Sequence, residues 1–250
     1  ASVLELYDDG TDDRNALLSL AAGTSNITIE NLKLTGTQSN KEASVQLLIT
    51  RGTNGLTVRG VTFDKGEYAV RNIYDGTRSG NVVVDDCETL SGVLNPFYIA
   101  YVSGMEVKNC TLDANSVDCI PGRWPHHFYV ADGTEDLNVH DCTLKNGQHW
   151  SINIGGGATI TGGITFANIV MSNVVVGMWV CCYQGSLLFD NITGSSTRYE
   201  AGYPWLGLYD AQGVTLKNFS FIGKAGNNNW LVESDNSSGN LLEDGSMTNS

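Results

Sequence analysis

Elimination next to a carboxylate needs a base that takes the carbon-bound proton and a cation or proton donor that neutralises the acid. His, Tyr, Arg and Lys divide those tasks. Five residues of this chain suit them by type and spacing: Arg71, Arg123, His127, Tyr129 and His149. Arg123 lies in the segment SerValAspCysIleProGlyArgTrpProHisHis at 116–127, which runs straight into an aromatic stretch, and His149 follows one repeat later. Stacked strands sit about 5 Å apart, so His127 and His149 are expected to share one spot. Hydrolysis would instead require two carboxylates flanking the scissile bond. Asp118, Asp132, Asp210 and Glu233 are the nearest candidates, but Asp132 and Asp210 are better explained as turn residues.

Around this cluster lie the large aromatics. Strict alternation on the strand that carries them predicts an outward set of His127, Tyr129, Trp179, Tyr183, Trp205 and Tyr209, with His149, Ser151 and Asn153 beside them. Tyr98, Asn153, Trp179, Tyr183, Trp205 and Tyr209 are the expected substrate-binding side chains. Pyranose rings stack their CH faces on Tyr and Trp, and their hydroxyls take fixed polar partners. A loop folded over the face would turn the same aromatics into a secondary core. A contiguous aromatic patch favours a groove.

What must hold these residues is a repeat. Asn31, Gly60, Asp86, Asn109, Asp141, Asn168, Asn191, Asn218 and Asp244 form a column whose members are 23 to 32 residues apart. Such periods mark a stacked solenoid. Apolar residues recur two positions before the column and one and three after it, the period-2 pattern of two half-buried strands meeting at a corner. Asn, Asp and Gly tolerate the left-handed backbone that a corner demands, and their side chains can hydrogen-bond along the stack. A third strand follows each second corner, with candidates at 45–50, 68–74, 97–102, 127–132, 149–154, 177–183, 205–210 and 230–234. The expected fold is all-β: one right-handed parallel β-helix domain over 1–250, of about nine to ten coils with three short strands each and an Asn/Asp ladder.

The phrases GlyMetGluValLysAsnCysThrLeu (104–112), AspLeuAsnValHisAspCysThrLeu (136–144) and GlyValThrLeuLysAsnPheSerPhe (213–221) resemble the coil of the pectate lyase and pectin lyase-like superfamily. The resemblance covers about residues 26–250 and implies the β-helix. It leaves the reaction open, because that superfamily includes lyases, hydrolases, epimerases, esterases, tailspikes and adhesins. Its sharper motifs are missing: there is no Asp cluster with Arg-x-Pro-x-x-Arg, no AsnThrAsp with GlyHisGly, and no AspProHisGlu.

Composition narrows the partners. Fourteen basic against 27 acidic residues give a net charge of −13, which argues against nucleic acid and anionic membrane. No apolar run approaches the length of a membrane helix. The six cysteines lack metal spacing. Cys87, Cys110 and Cys142 occupy one inward position in three consecutive coils and are read as buried thiols, which leaves Cys119 and Cys181 as the bridging candidates. Asn109, Asn191 and Asn218 sit in sequons but also in the column, where their side chains are expected to be inaccessible.

Two functions fit. One is an extracellular polysaccharide-degrading lyase or glycosidase working on the third-strand face. The other is a non-catalytic virion or cell-surface β-helix (tail or fibre protein, adhesin or filament subunit) that binds glycans or packs against further copies of itself. No cofactor is required, and plentiful loop carboxylates are compatible with bound calcium.

Overall fold

The computed structural model describes residues 2–6, 16–36, 46–74, 76–114, 125–156, 160–196, 204–223 and 230–249. These are strands, bridges and turns, with no helix among them. All nine column residues have a left-handed backbone, with φ from 51° at Asp244 to 59° at Gly60. The column is therefore a line of corners, and its residue types are those that meet this φ at least cost.

Amide side chains bind along the stack, though not always from column to column. Asn191 donates to Asn168 at 2.9 Å and Asn168 to Asp141 at 2.8 Å. Asn109 reaches Asp85 and Asn218 reaches Asp190, each at 2.8 Å, so those two bonds use the residue just before the column. A shorter ladder, Asn173 to Asn146 to Asp113, repeats the device at the next corner. The expected inaccessibility of Asn109, Asn191 and Asn218 is not observed: all three are exposed. A left-handed corner turns its side chain away from the core, and the Asn amides are engaged rather than covered.

Among the described residues every strand pairing is parallel. There, one hydrogen-bonded sheet carries the strands on both sides of the column, and a second stacks nine strands from Ala16–Leu20 to Trp230–Asp235. Early coils hold three strands, as in Asn54–Arg59, Thr62–Asp64 and Gly66–Asn72. From Glu135–Lys145 onward the first two fuse into bent strands such as Gln184–Ser195, because pairing runs through the corner. The solenoid makes about seven turns against the nine to ten expected.

The core is a set of inward columns. Val70, Phe97, Phe128, Ile152, Met178 and Leu206 are register neighbours and all are buried. Phe97 and Phe128 stack with centroids 5.0 Å apart. Each such side chain contributes about 2 kcal/mol by leaving water. Cys87, Cys110 and Cys142 lie in the same core as expected, and each thiol donates to the carbonyl two residues back, at 3.3, 3.1 and 3.2 Å. The neighbouring thiols, then burial, push the Cys110 thiol well above its ordinary range.

Candidate functional site

One outward register line crosses the nine-stranded sheet. It runs Arg71, Tyr98, Tyr129, Asn153, Trp179, Gly207 and Glu233, one residue per coil. Parallel pairing at about 4.8 Å per strand makes this a continuous ridge of side chains. Tyr98 and Tyr129 have ring centroids 5.2 Å apart, and Tyr68 meets Tyr98 edge-on at 5.7 Å. The Arg71 guanidinium lies 5.0 Å from the Tyr68 ring and 5.4 Å from Tyr98, a cation–π arrangement. No carboxylate pairs with Arg71 among the described residues, and its Nε is buried without a hydrogen-bond partner. Burial raises the Tyr98 and Tyr129 hydroxyls above their ordinary pKa, and Arg71 partly offsets this at Tyr98. Both phenols therefore stay protonated.

At the other end Trp179 lies across Gly207. A Cβ on that glycine would come within 2.1 Å of an indole carbon, so the missing side chain forms the seat of the ring. Trp150 tilts against Trp179 at 5.0 Å. The aromatic ridge thus has two ends, Tyr68–Tyr98–Tyr129 and Trp150–Trp179, joined by Asn153.

The histidines are not arranged as strict alternation predicts. His127, expected outward, is fully buried, and its Nε2 donates to the Lys145 carbonyl at 2.8 Å. It precedes the regular strand Phe128–Val130 and enters the space beside Gly147, where a Cβ would come within 2.9 Å of its ring. His126, itself buried, packs under the face instead: its ring faces Tyr129 at 5.6 Å and His149 at 5.2 Å. Its Nδ1 lies 2.9 Å from the Trp150 carbonyl and therefore carries the proton, so Nε2 accepts from the Asn153 amide at 3.2 Å. Strict alternation gives His126 no place on the face. The signal was present in the turn before the strand, where a bend resets the alternation. Burial lowers His126 to about 4; burial and then His126 lower His149 to about 3. Near neutral pH both are neutral hydrogen-bonding groups.

Three more expectations resolve differently: Ser151, expected outward, is fully buried and donates to the Val176 carbonyl at 3.2 Å, and Trp205 and Tyr183 also turn inward. Trp205 was expected outward but is buried, stacked on Phe221 at 4.6 Å and 4°. It fills the place where the column position held by Leu144 and Met171 becomes Gly194, whose Cβ would come within 2.7 Å of the indole. Tyr183 was also expected outward and is fully buried, its hydroxyl donating to the Gly162 carbonyl. It follows the left-handed corner at Cys182, so strand parity no longer applies to it. Tyr209 is exposed as expected, at the strand end beside Cys181. Arg123, Trp124, Asp118 and Cys119 lie outside the described residues. Among the described residues no group of three His, Cys, Asp or Glu side chains could hold a metal ion.

No protein-family model and no curated protein matches the sequence. Among solved structures, endo-xylogalacturonan hydrolase from Aspergillus tubingensis is similar with a TM-score of 0.62 at 12% identity, over 98% of this chain and 77% of that one. PfbA, a surface adhesin of Streptococcus pneumoniae, gives a TM-score of 0.45 at 10% identity, covering 89% and 70%. The mannuronan C-5 epimerase AlgE4 A-module of Azotobacter vinelandii also gives 0.45, at 13% identity over 99% and 85%. At 12% identity the first of these likenesses shows a shared fold, the parallel β-helix expected from the repeat.

Proposed function

We propose that the outer face of the nine-stranded sheet binds a polysaccharide outside the cell or on a cell or virion surface, with Arg71, Tyr98, Tyr129, Asn153 and Trp179 as the contact line. The observation that carries this reading is the register line itself. It offers ring faces at two places, an amide between them, and a cation lacking a carboxylate partner among the described residues. Sugar rings stack on such faces and hydroxyls pair with such amides. Arg71 suits an acidic sugar at one end, since a guanidinium binds carboxylate in bidentate fashion. The similarity to a hydrolase of xylogalacturonan is compatible with this reading through the fold alone.

Cleavage is the second reading, favoured by Arg71 over the Tyr98 ring and by the His126–His149 pair. In elimination Arg71 would neutralise the uronate carboxylate while the neutral His149 imidazole took the proton and a tyrosine hydroxyl gave one to the leaving oxygen. His127 has no part in either reading.

Both are tested by incubating the protein with uronate polymers and neutral glycans, measuring binding by calorimetry and cleavage by absorbance of the unsaturated product. Binding that falls about tenfold in Tyr98→Ala and again in Trp179→Ala, roughly 1.4 kcal/mol each, supports the contact line. Equal binding by the wild type and both variants would remove it, and binding without product would leave the face non-catalytic.

A further inference from the structure

We infer that Cys181 and Cys182 are a redox modification site that closes into a vicinal disulfide when the folded protein meets a low-molecular-weight disulfide such as oxidised glutathione. Consecutive strand residues point to opposite faces, which ordinarily keeps neighbouring thiols apart. Here Cys181 ends the strand Val176–Cys181 and Cys182 turns to φ 57°, so the alternation breaks between them. Their sulfurs stand 3.0 Å apart, and both residues are half-buried.

The position of Cys182 is an independent sign. Its amide donates to the Tyr209 carbonyl, and the same corner in the next two coils is held by Asp210 and Asn236, both at φ 48°. Asp and Asn are among the residues that visit this conformation readily, whereas other side chains incur about 1–2 kcal/mol. A strained backbone at one point is a reason to look for chemistry there. Cys182 also lines an open polar cleft of about 540 Å³ with Asp210, Gln212 and Asn236, which gives a small reagent access.

The step balances without further reagents. The Cys182 sulfur attacks one sulfur of R–S–S–R and releases one R–SH. Cys181 then attacks the Cys182 sulfur of the mixed disulfide and releases the second. The protein loses two protons and two electrons, and the reagent takes them up to become two thiols. Burial, with Cys182 alongside, pushes the Cys181 thiol up to about 12. That makes Cys181 the poorer first nucleophile, and its attack on the mixed disulfide is carried by the 3.0 Å proximity of the two sulfurs. Cys87, Cys110 and Cys142, at 1–2% exposure, stay out of reach in the folded protein.

The test starts from fully reduced, folded protein, adds oxidised glutathione, quenches with iodoacetamide and maps peptides by mass. The peptide carrying both residues is expected to be two hydrogens lighter, resistant to alkylation, and restored by dithiothreitol. Cys181→Ser should retain one glutathione on Cys182, and Cys182→Ser should take one up on Cys181 more slowly. Alkylation of both thiols in the wild type, a glutathione retained there, or a cross-link to Cys119 or to a second chain would each overturn the proposal.

Discussion

Trp205 and His127 show how much a single side chain's direction decides. Trp205 fills the gap above Gly194 and leaves its indole Nε1 buried without a partner. Trp205→Ala should therefore cost about 3–5 kcal/mol by urea unfolding. Trp205→Phe should cost clearly less, since it removes the orphan N–H along with some ring volume. Neither should alter glycan affinity. His127 carries the pH dependence. Burial lowers it from the ordinary 6.5 to about 4. The unfolded chain takes up a proton below about 6.5 while the folded chain stays neutral. The stability held by neutral His127 is thus fully present above about 6.5 and is lost as pH falls toward 4. For a fully buried group that difference is on the order of 3 kcal/mol. His126, also lowered to about 4, acts in the same sense. His127→Gln, which keeps a donor for Lys145, should flatten the fall in unfolding free energy between pH 6.5 and 4.5; an unchanged slope would show that other groups dominate.

At the scale of the element, the corner column and the ridge answer to separate substitutions. Asn168 has φ 54°, donates to Asp141 and accepts from Asn191. Asn168→Ala loses both bonds and the tolerated backbone, and should cost about 2–4 kcal/mol. Asn168→Gly keeps the backbone freedom and should cost about half as much. Equal costs would mean that the side-chain ladder, not the turn, holds the coil. Gly207 is the test of the ridge. Because a Cβ there would collide with the Trp179 indole, Gly207→Val should lift that ring from the sheet and weaken glycan binding about as much as Trp179→Ala. Loss of binding in Trp179→Ala with none in Gly207→Val would mean that the indole binds without lying flat.

For the whole molecule the relevant quantity is the charge of −13. An anionic polymer is repelled at long range and held at short range by Arg71, and salt screens the first more than the second. Affinity for a uronate polymer should therefore rise by a few-fold, or at least not fall, between about 20 and 200 mM salt, as the Debye length shortens to below 10 Å. Affinity for a neutral glycan should stay level. A steep fall for the acidic polymer, the pattern of binding dominated by many cations, would contradict a contact line with one arginine.

The winding was legible in the chain alone. Nine Asn, Asp and Gly residues at regular intervals demand left-handed corners, and each shows a positive φ; apolar residues at fixed offsets from them demand an inner face. Both are local requirements, met within a few residues of the position that states them. Tyr98, Tyr129, Asn153 and Trp179 were legible for the same reason, since they lie inside regular strands where alternation holds. The directions of His127, Trp205 and Tyr183 were not. Each sits at a strand entrance, over a glycine gap or past a corner, and such a side chain turns toward whatever volume the neighbouring coils leave open. Gly147 and Gly194 open that volume from positions 20 and 11 residues away in sequence, and their effect exists only once the coils are stacked.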